Sequence, residues 1–248
     1  MAPILKEATT LSEFGPIIDC MWESFQTPFS SVLYLLNPLQ SYDEAGYLAA
    51  IEASKTRMWK SHENNPCSHW MYICDSENPN EVLSAAHWLI YPESPYDGVE
   101  EKRVMDMWPE GEARRFAEFY IGQVFGLRRR RMWRGHVQLD AMFTHPSHRC
   151  KGHGSLLMKY GMDKAAELKV EAVVESSEEG MKLYKKWGFR TIEKVAIDTI
   201  TDNPGPIWKK MHSDFGGKNI WWMWKPVEGV YVAGKTQLPW EVRRENRY

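Results

Sequence analysis

The stretch Arg149-Cys150-Lys151-Gly152-His153-Gly154 constrains this chain more than any other, because it joins a strand-like run to a helix-like one within six residues. Residues 137–144, Val-Gln-Leu-Asp-Ala-Met-Phe-Thr, suit a buried strand. From Ser155 the sequence is a good helix former, and Leu157, Gly161, Ala165 and Leu168 give it a stripe for packing on a sheet. Glycines at 152 and 154 let several backbone NH groups approach one oxygen-rich ligand, and the helix behind them presents its positive end. The turn is therefore expected to cradle an anion, with a diphosphate the natural guess. Spacing excludes two nucleotide loops, since neither G-x-G-x-x-G nor G-x-x-x-x-G-K-[ST] occurs here.

The same periodicity reading places the other elements. Residues 3–8 read as a first strand, Thr10 to Glu13 cap a helix running toward Phe25, and Pro28 stops it. A second helix is expected over residues 43–60, with Leu48, Ile51 and Met58 on one face. Residues 70–74 and 82–91 form a hairpin across the turn at Asn78-Pro79-Asn80; Ala86, Trp88 and Ile90 share one face of its second strand, His87 and Leu89 the other. Residues 92–109, with Pro92, Pro95, Gly98 and Pro109, read as an irregular excursion, and a helix over 112–130 follows with the stripe Phe116, Tyr120, Val124 and Leu127. Beyond the turn come a strand at 171–176, a short helix at 177–184, and final antiparallel strands at 191–199 and 219–225 around the turn-rich residues 202–206.

Composition bounds the setting. An apolar fraction of 43% in 248 residues is ample for a packed core, and no linker-like tract or repeat divides the chain. One domain over residues 1–226 is expected, with 227–248 a tail of unknown role. A net charge of -2 predicts no general attraction to nucleic acid or to an anionic membrane. Cys20, Cys67, Cys74 and Cys150 have neither zinc-site spacing nor disulfide density, so no metal is expected. With no signal-like start at Met1-Ala2 and no apolar run near ~20 residues, the expected location is cytoplasmic.

The pattern Arg149-x-x-Gly152-x-Gly154 resembles the acetyl-CoA signature of the GNAT superfamily of acetyltransferases, written as Gln or Arg, two residues, Gly, one residue, then Gly or Ala. Tyr184, followed four residues later by Gly188-Phe189, looks like the second GNAT landmark at the expected separation. Together these cover residues 139–192. The resemblance implies an α/β GNAT fold: a central mixed, mostly antiparallel sheet with splayed central parallel strands, flanked by helices. The helix at 112–130 would then be an insertion before the motif strand, on the acceptor side. The implied activity is direct transfer of acetyl from acetyl-CoA to an amine, without a cysteine nucleophile.

Each chemical need can be assigned separately. For the diphosphate the candidates are the backbone NH groups of Cys150, Lys151, Gly152, His153, Gly154 and Ser155, with Arg149 positioning the turn. By resemblance, the exposed strand edge at Met142, Phe143 and Thr144 would hold the acyl-pantetheine arm, and a backbone NH there would polarise the thioester carbonyl. Tyr184 would protonate the departing thiolate, since a phenol with a pKa of ~10 is protonated at neutral pH. Glu175 and Asp140 are the candidates for the base that deprotonates the ammonium, with His136 and water behind them. Trp88, Tyr91, Trp108 and Trp222 are candidates for an aromatic acceptor pocket, although packing is the default for Trp222 in the run Trp221-Trp222-Met223-Trp224. Arg128 to Arg131 read as a solvated helix end that complements the helix dipole rather than a nucleic-acid patch.

The acceptor is therefore expected to be a small-molecule amine, with no nucleic-acid or membrane partner, acted on by a monomer or homodimer. A protein lysine or N-terminal acetyltransferase is the second reading, and a non-catalytic acyl-CoA-binding module the third.

Overall fold

The computed structural model describes residues 3–96 and 104–241. Met1 and Ala2, Gly98 of the excursion and residues 242–248 of the tail lie outside them. In chain order the elements are β1 (Pro3–Glu7), α1 (Leu11–Ser24), α2 (Val32–Leu36), α3 (Glu44–Glu63), β2 (Ser68–Asp75), β3 (Val82–Tyr91), α4 (Glu112–Arg131), β4 (His136–Thr144), α5 (His153–Leu168), β5 (Glu171–Ser176), α6 (Met181–Lys186), β6 (Arg190–Ala196), α7 (Pro206–Phe215) and β7 (Asn219–Lys225). The chain is an α/β protein whose sheet has the strand order β1-β2-β3-β4-β5-β7-β6 and is mostly antiparallel. Its contacts fall into two compact units, one of described residues 3–89 and 139–161, the other of 90–96, 104–138 and 162–241.

In the first unit, β2 pairs antiparallel with β1 and with β3, and Trp70 stands opposite His87. Alternation sends Ser68, Trp70 and His87 to one face and His69 and Trp88 to the other. The first face carries α1 and α3, where Phe14, Ile17, Ile18, Trp22, Ala50 and Ile51 pack with Trp70, Tyr72 and Phe143. On the second face α5 comes so close that a Cβ on Gly161 would meet the Trp88 indole at 2.5 Å, while Tyr160 lies beside His69.

Local capping sets the helix starts. Thr10 accepts a hydrogen bond from the Glu13 NH and Glu13 reaches back to the Thr9 NH, an arrangement worth about 1 kcal/mol. Asp43 accepts from the Gly46 NH at 2.8 Å and starts α3. The apolar face of α3 differs from the expected one: Leu48 is exposed, whereas Gly46, Ala50, Ile51 and Ser54 are buried, with Ser54 accepting from the Trp22 indole at 2.9 Å.

In the second unit, β7 pairs antiparallel with both β5 and β6, so the last strand lies between two earlier ones. Helix α4 runs unbroken through Gly122 and Gly126 and buries Phe116, Ala117, Tyr120 and Ile121. Helix α7 fills the stretch expected only to connect the last two strands. Pro206 occupies its first turn, and Met211 and Phe215, four residues apart, are its buried positions. The expected tail is packed as far as residue 241 allows: Tyr231, Leu238 and Trp240 lie on Trp222 and Trp224, with Trp240 edge-on to both indoles.

Candidate active site

The turn after β4 is built in the first unit by two devices. Cys150 and Gly152 take positive φ angles of 59° and 89°, which folds the backbone back on itself before α5 begins. Arg149 spends its guanidinium on the backbone, donating to the carbonyls of Thr144 at 3.2 Å, Ser24 at 2.7 Å and Thr27. It therefore fastens the turn to β4 and to the end of α1, leaving the anion to other groups. Among the described residues, the NH groups of Cys150, Lys151, Gly152, His153 and Gly154 have no acceptor within the protein. The Ser155 NH differs from the expectation, since it donates to the Gly152 carbonyl at 2.9 Å as the helix opens. A Cβ built on Gly152 meets nothing within 4 Å, so the turn is open at this position. The His153 ring is buried with neither nitrogen hydrogen-bonded, and burial holds its pKa below the usual imidazole value. Free NH groups, open space and an orphaned imidazole fit an oxygen-rich anion such as a diphosphate.

The expected strand edge at Met142 to Thr144 lies in the same unit. Phe143 turns its side chain into the core against Phe25 and Trp70, so only its backbone is offered. The Ser84 hydroxyl, 2.8 Å from the Phe143 carbonyl and 2.8 Å from the Thr144 hydroxyl, fixes the end of β4 to β3.

The two candidate bases have different surroundings. Asp140 keeps 28% of its side chain exposed, and its Oδ2 lies 3.2 Å from Nδ1 of His87. Glu175, in the second unit, is 4% exposed and receives both arms of the Arg128 guanidinium, at 2.9 and 2.5 Å. Arg128 is itself buried, with its guanidinium over the Phe125 ring. This corrects the expectation of a solvated arginine run: Arg130 is exposed, but Arg128 is locked on Glu175, and Arg131 pairs with Glu193 and lies over Trp222 and Trp240. A carboxylate held by a bidentate guanidinium is a poor proton acceptor, so the geometry separates Asp140 from Glu175. His136 is fully buried, with its pKa pushed down to about 4 by burial, and its Nδ1 lies 2.9 Å from the Arg134 carbonyl.

Tyr184, on α6, is buried against Phe189, and burial pushes its phenol up to about 12. Among the described residues its hydroxyl has no hydrogen-bond partner, so its proton is uncommitted within the protein. The aromatic candidates divide. Trp88 and Trp222 are fully buried and serve as core, because Gly161 and Trp240 respectively close over them. Tyr91 and Trp108 keep partial exposure. The residue that sequence reasoning left unassigned is His87, whose signal was a lone imidazole in the apolar strand Val82–Tyr91.

Among the described residues no group of three His, Cys, Asp or Glu is placed to hold a metal, and no helix is long and apolar enough to cross a membrane. No match was found among curated proteins. The sequence profile of the acetyltransferase (GNAT) family matches residues 80–189, which span β3, α4, β4, the anion turn, α5, β5 and α6. Among solved structures, a Corynebacterium glutamicum ATCC 13032 protein described as histone acetyltransferase HPA2 and related acetyltransferase is 19% identical, with a TM-score of 0.55 over 92% of this chain and 97% of that one. A mosquito arylalkylamine N-acetyltransferase like 5b is 13% identical, with a TM-score of 0.56 over 90% and 99%. The fold, the anion turn and the family match therefore agree on an acetyltransferase (GNAT) domain over residues 80–189.

Proposed function

We propose that the chain transfers acetyl from acetyl-CoA directly to the nitrogen of a small-molecule amine. The observation that carries this reading is the set of five unpaired NH groups from Cys150 to Gly154 on a turn that Arg149 holds in place. These groups would hold the diphosphate, and the backbone of Met142 to Thr144 would align the pantetheine arm. Acetyl-CoA supplies the acetyl group as a reactive thioester. Asp140 accepts the proton that an ammonium must lose before its nitrogen can attack, and His87 Nδ1 lies 3.2 Å behind it. Tyr184 supplies a proton to the departing sulfur; at about 12 its phenol stays protonated across the neutral range. Glu175 has a supporting role, anchoring the end of α4 through Arg128. Residues 1–226 then act as one acetyltransferase domain with the tail as packing, in a reducing, cytoplasmic setting that the four unpaired cysteines support.

The partly exposed rings of Tyr91 and Trp108 support a small acceptor. A second reading, transfer to a protein lysine, is favoured by a cleft of about 410 Å³ in the first unit, lined by Asp19, Glu23, Glu81, His145 and His148. Its carboxylates are largely engaged, Glu23 by His145, Glu81 by His148 and Asp19 by Lys55, which is why we place the small amine first. An acceptor panel with acetyl-CoA, read by released thiol, decides between them. Turnover of aryl- and alkylamines above lysine peptides is expected, and turnover of lysine peptides alone would replace this reading by the second.

A further inference from the structure

Behind Asp140 the first unit carries a line of polar side chains that crosses β4, β3 and β2 and ends on α3. His87 Nδ1 lies 3.2 Å from Asp140 Oδ2, and His87 Nε2 lies 2.8 Å from Ser68 Oγ. Ser68 Oγ in turn lies 2.8 Å from Nδ1 of His62, in the last turn of α3. Each separation is within or at the edge of hydrogen-bond range. Ser68 is buried, and its hydroxyl is the link between two imidazoles.

The rings are held in register from both sides. Trp70 lies flat on His87, with centroids 4.5 Å apart and planes 6° from parallel, and Phe14 lies parallel to His62 at 6.1 Å. Rotating either imidazole out of line would forfeit a stacked neighbour as well as its hydrogen bonds. Phe14, Ile17, Ile18, Trp70 and Phe143 pack on this face, so an apolar residue at position 68 or 87 would join an existing core. A hydroxyl between two imidazoles does what an apolar filler does not: it accepts a proton on one lone pair as it releases its own.

We propose that His87, Ser68 and His62 form a proton relay that discharges Asp140, carrying the acceptor's proton from the site to the end of α3. The proposal rests on the reading of Asp140 as the proton acceptor. Asp140 takes the proton from the ammonium and passes it to His87 Nδ1. His87 releases its Nε2 proton to Ser68 Oγ, while the original Ser68 hydroxyl proton moves to His62 Nδ1. One proton leaves the amine and one arrives on His62, and only N–H and O–H bonds are exchanged. His62 is partly exposed and returns the proton to water. Burial, opposed by a hydrogen bond to the Ala8 backbone and reinforced by the nearby His87 and His69 rings, holds His62 below the ordinary imidazole value, which favours release. Among the described residues, Glu13 on α1 lies near the line and is engaged by Thr9 and Tyr72, while Glu7 pairs with His69 at 2.7 Å on the opposite face.

Ser68→Ala deletes the middle of the relay while keeping its volume nearly constant, and His62→Gln interrupts its outer end. The acceptor probe is whichever of phenethylamine, spermidine and Nα-acetyl-lysine amide turns over fastest. Both variants are expected to lose about tenfold in kcat/KM near pH 6.5, within the ~10²–10⁴ range of acid–base catalysis. The deficit should shrink as pH rises and the amine arrives neutral, and a merely structural defect would give one constant across pH. A ¹⁵N titration of the imidazoles needs no acceptor: His62 and His87 should titrate as a coupled pair in the native chain and independently in Ser68→Ala. Superimposable pH–rate profiles, or imidazoles that titrate independently in the native chain, would overturn the relay. Asp140→Asn, run alongside, keeps the two ideas apart. If it alone loses activity, the relay fails and the base stands; if it too matches the native chain, the base reading itself fails.

Discussion

The two units treat charge in opposite ways. In the first, Arg149 is turned onto backbone carbonyls, five NH groups have no acceptor among the described residues, and Asp140 stays partly open with an imidazole behind it. In the second, the buried charges are neutralised in pairs: Arg128 on Glu175, Arg134 on Glu171, and Arg131 on Glu193 at the edge. A paired buried carboxylate holds elements together, and its proton affinity is not available for chemistry. Unspent backbone donors among the described residues are what the first unit offers to a ligand. The contrast between Asp140 and Glu175 is its sharpest form, because both are carboxylates on strands that sequence reading treated alike.

The largest effect should come from breaking the closed pair. Glu175→Gln removes the bidentate carboxylate from a buried guanidinium and should cost about 3–5 kcal/mol of stability, measured by urea unfolding. A loss of turnover at unchanged stability would instead make Glu175 a chemical group and erase the contrast. Next is His136, neutral in the folded chain down to about pH 4 while the unfolded chain takes a proton near 6.5. Its folded pKa is depressed, so the stability it contributes is present above about pH 6.5 and is lost as pH falls through 4, about 3 kcal/mol in all. The difference between native and His136→Phe unfolding curves should show this slope.

Asp140→Asn should behave as the mirror of Glu175→Gln, lowering kcat by about 10²-fold, equivalent to about 2.7 kcal/mol, with a melting temperature close to native. Unfolding in place of rate loss would put Asp140 in the same class as Glu175. Smallest is Tyr184→Phe, expected to slow turnover by about tenfold with unchanged acetyl-CoA affinity, since the hydroxyl is unbonded among the described residues. With the phenol at about 12, the native rate should show no alkaline fall from this group below about pH 10. A rate that Tyr184→Phe leaves untouched at every pH would remove it as the acid.

What could be read along the chain was what is local. The anion turn, its strand and its helix lie within a few dozen residues, and their glycine spacing and periodicity survive folding unchanged. Strand β7 could be placed at Asn219–Lys225 because alternation and tryptophan content both mark it. Contacts distant in sequence were not legible. Arg128 meets Glu175 across 47 residues, so the arginine run looked like a solvated helix end until its partner was known. Trp222 looked available for a ligand because the residue that closes over it, Trp240, lies in the tail. His62, Ser68 and His87 are separated by 6 and 19 residues and come into line only when β2 pairs with β3 and α3 packs on that face. Helix α7 was hidden by the turn residues before it, although Pro206 at its start and the Met211 and Phe215 pair were signals for it.

The central claim is that the open NH groups of residues 150–154 hold the diphosphate of acetyl-CoA. Calorimetry of acetyl-CoA binding to the native chain and to Gly152→Val tests it most directly. A β-branched side chain at a φ of 89° is strained and would shift the backbone that aims the donors, so affinity should fall by about 100-fold while the melting temperature stays within a few degrees of native. Equal affinity in the two proteins would contradict the claim.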